Sequence, residues 1–158
     1  MGLKTKVKAE SSRQELIIER EFDLPLDLLF KAYSEAGLLE KWMGTKVLKL
    51  ENKKHGSWAF ETADANGKVV FRANGVIHEF IPNIRITRTF EMENMPFGVQ
   101  LEFMEFEKLS DTTSRINIHM IFKTAEQRDQ LVKMGMAQGM NMAHNRMEEI
   151  LSKLKKTL

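Results

Sequence analysis

Two polar residues sit where the chain is otherwise apolar, and both could do chemistry. In "IRITRTF", 84–90, strand alternation puts Ile84, Ile86 and Phe90 on one face and Arg88 with them. A guanidinium on a buried face needs a carboxylate or a ligand anion. Arg88 therefore either orients an acidic or carbonyl group of a ligand, or pairs with Glu79 or Glu102, or carries its head out to the sheet edge on its apolar stem. The facing of Glu79 is open, because Gly75 suggests a bulge that would flip the parity after it. In "GMNMAH", 139–144, His144 stands one step off an apolar stripe, between Met140 and Met147. It either reaches an interior space as a hydrogen-bonding or acid/base group, or is a satisfied histidine at a helix edge.

Other chemistries find little support. The chain has no cysteine, which excludes disulfides, a thiol nucleophile and a thiolate metal site. His78 and His119 alternate on strands toward solvent, and no two histidines have metal-ligand spacing. The methionines could ligate Cu(I) through their thioethers, but most lie on an apolar stripe, where core methionine sits. There is no Ser/His/Asp arrangement, phosphate loop or dinucleotide fingerprint. No catalytic residue, metal or cofactor is implied, and nothing demands catalysis.

The totals frame these residues. The 158 residues suit one domain, 1–158, with 1–13 polar, aperiodic and flexible. Twenty-four basic against 22 acidic residues, a net charge of +2, is too even to argue for nucleic acid or an anionic membrane. The basic ends, "KTKVK" at 4–8 and "KLKK" at 153–156, read as solvated tails. No leader-like apolar segment opens the chain, and no run approaches the roughly 18 apolar residues of a membrane span. "MGLKTK" places Lys6 where an acylation signal needs Ser or Thr. A cytoplasmic location fits the missing cysteines.

These residues need elements to position them. "ELIIEREF", 15–22, reads as a strand. In "DLPLDLLFKAYS", Pro25 suits a first helical turn, and Leu26, Leu29, Phe30 and Tyr33 recur at helical spacing. "EAGLLEKWMG" reads as a second short helix, broken at Gly37 and ended by Gly44. Six strands follow between 45 and 123, with turns at Asn66-Gly67, at Pro82 and at "SDTT", 110–113. Alternation turns Trp58 and Phe60 inward, then Phe71 and Ala73, then Val99, Leu101 and Phe103, then Ile116, Ile118, Met120 and Phe122. It sends Arg115, Asn117 and His119 outward. From Thr124 the period is helical again. Met136, Met140, Ala143, Met147, Ile150 and Leu154 form one stripe on a long final helix.

The class is α+β. A hairpin-built antiparallel sheet must bury one face, and only the final helix is long enough to cover it. A curved sheet on one helix cannot close along its whole length, so a cavity between them is expected. Gly135 and Gly139 either let the helix approach the sheet or leave room beneath it.

Several segments carry a resemblance: "LEKWMG" at 39–44, Gly56 before "WAF", "NGKVVFRANGVIHEFIPNIRITRTFE" at 66–91, and "GMAQGMNMAHNRMEEIL" at 135–151. In these the chain resembles the START-like, Bet v 1-like (SRPBCC) superfamily of helix-grip domains. It is most similar to the branch named for homology to the activator of the heat-shock-protein 90 ATPase. Met147 stands where that family usually has Leu, and His144 where an aromatic is usual. The resemblance implies a helix-grip fold: about seven strands curved around a long C-terminal helix, with two short helices after the first strand. It implies less about function, since the superfamily holds lipid binders, hormone receptors, polyketide cyclases and chaperone cofactors.

The combined expectation is a protein that binds a small apolar or amphipathic ligand, such as a fatty acid, a flat polyketide-like aromatic or another lipid. From the strands, the expected lining is Trp58, Phe60, Phe71, Ile86 and Arg88, then Leu101, Phe103 and Ile118. The helix adds Met136, Met140, Ala143, His144 and Met147. Tyr33 and Trp42 are the expected portal. One alternative is a co-chaperone partner of a heat-shock-protein 90 ATPase, although the eukaryotic activators carry an additional N-terminal domain for which this chain has no room. Another is a cyclase or hydrolase using Arg88 and His144. The chain would act as a monomer or a homodimer, with Met92, Met95 and Phe97 either at an interface or at a hairpin tip.

Overall fold

Alternating buried and open residues along each strand dictate a sheet with one covered face. β2 (Glu15–Phe22) buries Leu16, Ile18, Arg20 and Phe22, and the final strand buries Ser114, Ile116, Ile118 and Met120. A computed structural model describes residues 3–155. Met1, Gly2 and the Lys156 end of the basic run lie outside the described residues.

The elements run β1 (Lys6–Lys8), β2, α1 (Leu26–Ser34), α2 (Ala36–Met43), β3 (Lys46–Leu50), β4 (Ser57–Ala63), β5 (Val69–Ile81) and β6 (Arg85–Met92). β7 (Val99–Lys108), β8 (Ser114–Ile121), α3 (Ala125–Lys133) and α4 (Met136–Lys155) complete them. All eight strands form one antiparallel sheet in the order β1-β2-β8-β7-β6-β5-β4-β3. The α+β helix-grip architecture is as expected. Among the described residues no helix is long and apolar enough to cross a membrane.

Five local expectations are corrected. The sheet has eight strands, because part of the supposed basic tail pairs as β1 against β2, with Lys6 opposite Glu19. The final helix is two helices. Gly135 takes φ +81°, which an L side chain rarely adopts, and ends the run begun at the Thr124 cap, whose side chain accepts from the Gln127 N–H at 3.1 Å. The break between α1 and α2 falls at Glu35, in extended conformation, while Gly37 continues inside α2. The bulge in β5 falls between Ile77 and Glu79, not at Gly75. Gly75 instead permits close approach: a Cβ there would lie 1.9 Å from the Thr89 carbonyl oxygen. Finally, Ile84 is 49% exposed, because it precedes β6 in the turn.

The core lies between the concave sheet face and the C-terminal half of α4. Leu16, Ile18, Ile116, Met147 and Leu151 are all 0% exposed there.

Candidate functional site

Along α4 the packing changes character. Met147 and Leu151 are fully buried against the sheet, whereas Met136, Met140 and Ala143, one to three turns earlier, are only partly buried. The helix stands off the sheet in this half and leaves a space of about 460 Å³, within the range of small-molecule sites. Gly139 borders this space, and a Cβ built there would meet nothing within 4 Å. Gly139, itself exposed, therefore leaves the rim of the space open, while Gly135 serves the backbone.

Three groups of side chains enclose the space. The short helices contribute Tyr33, Leu39, Trp42 and Met43. The sheet contributes Phe60, Phe71, Phe90, Met104, Ile118 and Met120, among others. The roof is Leu131, Met136, Met140 and Ala143. Six of the lining residues are methionines, whose flexible thioethers adapt to varied shapes.

The polar groups gather on β6 and β7. Arg88 and Glu102 face each other in register, and Arg88 Nε donates to Glu102 Oε1 at 2.9 Å. Gln100 Nε2 donates to Glu102 Oε2 at 2.8 Å. The Arg88 guanidinium lies 4.5 Å from the Trp58 ring centre, which holds it by a cation–π contact. Among the described residues nothing accepts from Arg88 Nη1 or Nη2. Arg88 thus pairs with Glu102, one of the partners the sequence allows, and still offers its terminal N–H groups to the space it lines.

A second polar chain runs behind the wall. Tyr33 OH lies 3.2 Å from His144 Nε2, and His144 Nδ1 lies 2.9 Å from Thr5 Oγ1. Arg20 Nη1 donates to Thr5 Oγ1 at 3.2 Å and to Asn145 Oδ1 at 2.8 Å. Glu148 Oε2 sits 3.6 Å from Arg20 Nη2. Burial, with the Arg20 charge second, pulls the His144 pKa from 6.5 to about 3, so the ring is neutral. Burial also pushes the Tyr33 phenol above its ordinary value, and among smaller influences the Arg88 charge lowers it while Glu102 raises it.

Of the residues expected to line the cavity, Phe60, Phe71, Arg88, Ile118, Met136, Met140 and Ala143 border it. Tyr33 and Trp42 border it too, but at 9% and 4% exposure they are wall residues rather than an open portal. Trp42 is pinned by its indole N–H, which donates to the Ala32 carbonyl at 2.8 Å. The remaining six lie elsewhere. Trp58 supports Arg88 from beneath, Ile86 and Met147 are core, and His144 stands behind Tyr33 with both ring nitrogens engaged. Leu101 and Phe103 are on the outer face, where Phe103 packs beside His119. Their places are taken by Gln100, Glu102 and Met104.

One residue of loop length causes that inversion. A turn of Ser110–Thr113 alone would make Leu109 the partner of Ser114. The loop also includes Leu109, so Lys108 pairs with Ser114 and Glu102 with Met120, which moves every β7 side chain to the other face. Matching β7 to the well-patterned β8 could not have found this, because the four-residue turn pairs Phe103 with the inward Met120. Arg20 did have a signal: it alternates with Leu16, Ile18 and Phe22, as Arg88 does with Ile86 and Phe90. Among the described residues no group of three or more histidine or acidic side chains could hold a metal ion.

A family model described as Activator of Hsp90 ATPase homolog 1-like protein matches residues 23–152. Solved structures are similar over nearly the whole fold. A protein of Rhodobacter sphaeroides is 19% identical, with a TM-score of 0.83 over 95% of this chain and 99% of its own. One of Mycobacterium smegmatis is 20% identical, with a TM-score of 0.81 over 93% and 96%. One of Arthrobacter aurescens is 19% identical, with a TM-score of 0.82 over 94% and 91%. At these identities the likeness is one of fold. No curated relative matches the chain.

Proposed function

The chain belongs to the family of Activator of Hsp90 ATPase homolog 1-like proteins, and on that footing we propose that it binds a small amphipathic molecule between sheet and α4. The observation that carries the reading is Arg88. Among the described residues its two terminal amino groups have no protein acceptor, at the border of a space otherwise walled largely by Phe, Met and Leu. An apolar body would lie along the methionines, and an acidic or carbonyl end would meet the guanidinium. Fatty acids and flat aromatic carbonyl compounds have this form. A cytoplasmic location is part of the proposal, supported by the absence of cysteine.

Mass spectrometry of freshly purified protein, native against denatured, tests the reading, followed by calorimetric titration with laurate. A retained small molecule or saturable laurate binding that weakens in Arg88→Met supports it. A bare native mass together with no laurate binding overturns it.

The family description favours one second reading, a protein partner of the heat-shock-protein 90 ATPase type. Its test is stimulation of that ATPase by the purified chain. A hydrolase or cyclase built on Arg88 with His144 is disfavoured, because Tyr33 stands between His144 and the space and neither ring nitrogen is free.

A further inference from the structure

The hydrogen-bond chain behind Tyr33 has a direction, and its protons can be counted. Arg20 is a donor only, so its 3.2 Å bond uses a lone pair of the Thr5 hydroxyl. Thr5 is 2% exposed, and among the described residues the remaining partner of its hydroxyl is His144 Nδ1 at 2.9 Å. The Thr5 hydrogen therefore points at Nδ1. If Nδ1 carried the proton instead, the Thr5 hydrogen would be buried with no acceptor, which costs its full desolvation.

A neutral imidazole that accepts at Nδ1 donates at Nε2. Nε2 lies 3.2 Å from the Tyr33 oxygen, so that oxygen accepts. The phenolic hydrogen is left over. Tyr33 borders the space under α4, and among the described residues no second hydrogen-bond partner takes that hydrogen. Arg88 and Glu102 border the same space as Tyr33.

We propose that Tyr33 donates a hydrogen bond to the ligand, and that Thr5 of the N-terminal arm sets this polarity through His144. The proposal rests on the binding reading above and narrows the ligand class. The end of the molecule at this pole is an acceptor, a carbonyl or carboxylate oxygen, met by Tyr33 as well as Arg88. A ligand whose polar end has only N–H or O–H hydrogens to offer matches poorly. Thr5 and His144 are positioning residues, since neither borders the space.

Two measurements on the full chain test this. The first is the pair of ring-nitrogen chemical shifts of His144 by NMR, which needs no ligand. A pyridine-type Nδ1 and a pyrrole-type Nε2 are expected, and the reverse overturns the proposal. The second is calorimetric titration with β-acetylnaphthalene and its isostere β-isopropenylnaphthalene, which has a methylene in place of the oxygen. The ketone should bind roughly three- to tenfold more tightly. Tyr33→Phe should reduce that preference at least twofold, Arg88 supplying what remains, while leaving the isopropenyl compound's affinity within about twofold. Thr5→Val should reduce the preference and Thr5→Ser restore it. Equal binding of both compounds by the wild-type chain, or an undiminished preference in Tyr33→Phe, overturns the proposal and leaves the binding reading standing. Binding of neither compound counts against the binding reading itself, and the Tyr33 assignment falls with it.

Discussion

Arg88 and Glu102 lie directly opposite each other on adjacent strands, joined by a 2.9 Å hydrogen bond, with the carboxylate 3% exposed and the guanidinium side chain 14%. The pair fixes the guanidinium without using its outer amino groups. Removing the carboxylate leaves an uncompensated charge on a mostly buried face. Glu102→Gln should therefore destabilise the fold by about 3 kcal/mol, the low end for a broken buried pair, because the head of Arg88 borders the space. The same change should tighten laurate binding, since the cation is no longer neutralised. Urea unfolding and laurate titration read the two effects, and weaker laurate binding in a folded variant would count against Arg88 as the anchor.

Gly139 gives a volume test. Gly139→Ala should stabilise the protein by about 0.5–1 kcal/mol, because the helix gains propensity and the new Cβ meets nothing within 4 Å. Gly139→Leu should keep the fold and lose ligand, since its side chain enters the space. Thermal melting with and without ligand distinguishes them. Unaltered binding in Gly139→Leu would put the ligand elsewhere.

His144 should make stability depend on pH. Its folded pKa, about 3, lies below its ordinary 6.5, so the unfolded chain takes up the proton first as the pH falls. This contribution is complete above about pH 6.5 and is lost downward through the window to about pH 3, at about 1.4 kcal/mol per pH unit. Carboxylates titrate in the same range, so the readout is the difference between wild type and His144→Gln. That difference should shrink steadily between about pH 6.5 and about pH 4. A constant difference would mean the imidazole is not held neutral.

The facing of β7 is open to a direct check. Met104 is 2% exposed, so Met104→Ala should cost about 2–5 kcal/mol. Leu101→Ala, on the outer face, should cost clearly less and leave binding unchanged. Equal costs in urea unfolding would mean the register is wrong.

The sequence by itself determined the run from β2 through two short helices to six strands and a helical end, the antiparallel hairpins, the Thr124 cap and the family resemblance. These are local or periodic properties. Alternation in "SRINIHMIF" shows which residues of β8 face inward because the backbone repeats every two residues. It also placed Arg88 inward and left Glu102 among its possible partners. What only the tertiary structure decided depends on contacts far apart in the chain. The register of β7 hangs on whether Leu109 belongs to a loop. The N-terminal arm looked like a solvated tail until Thr5 found His144, 139 residues away. Gly139 and Gly135 read alike as letters, yet one leaves the rim of the space open and the other, at φ +81°, ends a helix. Periodicity is written in neighbouring residues, but the partner that satisfies a buried proton is chosen only when distant segments are brought together.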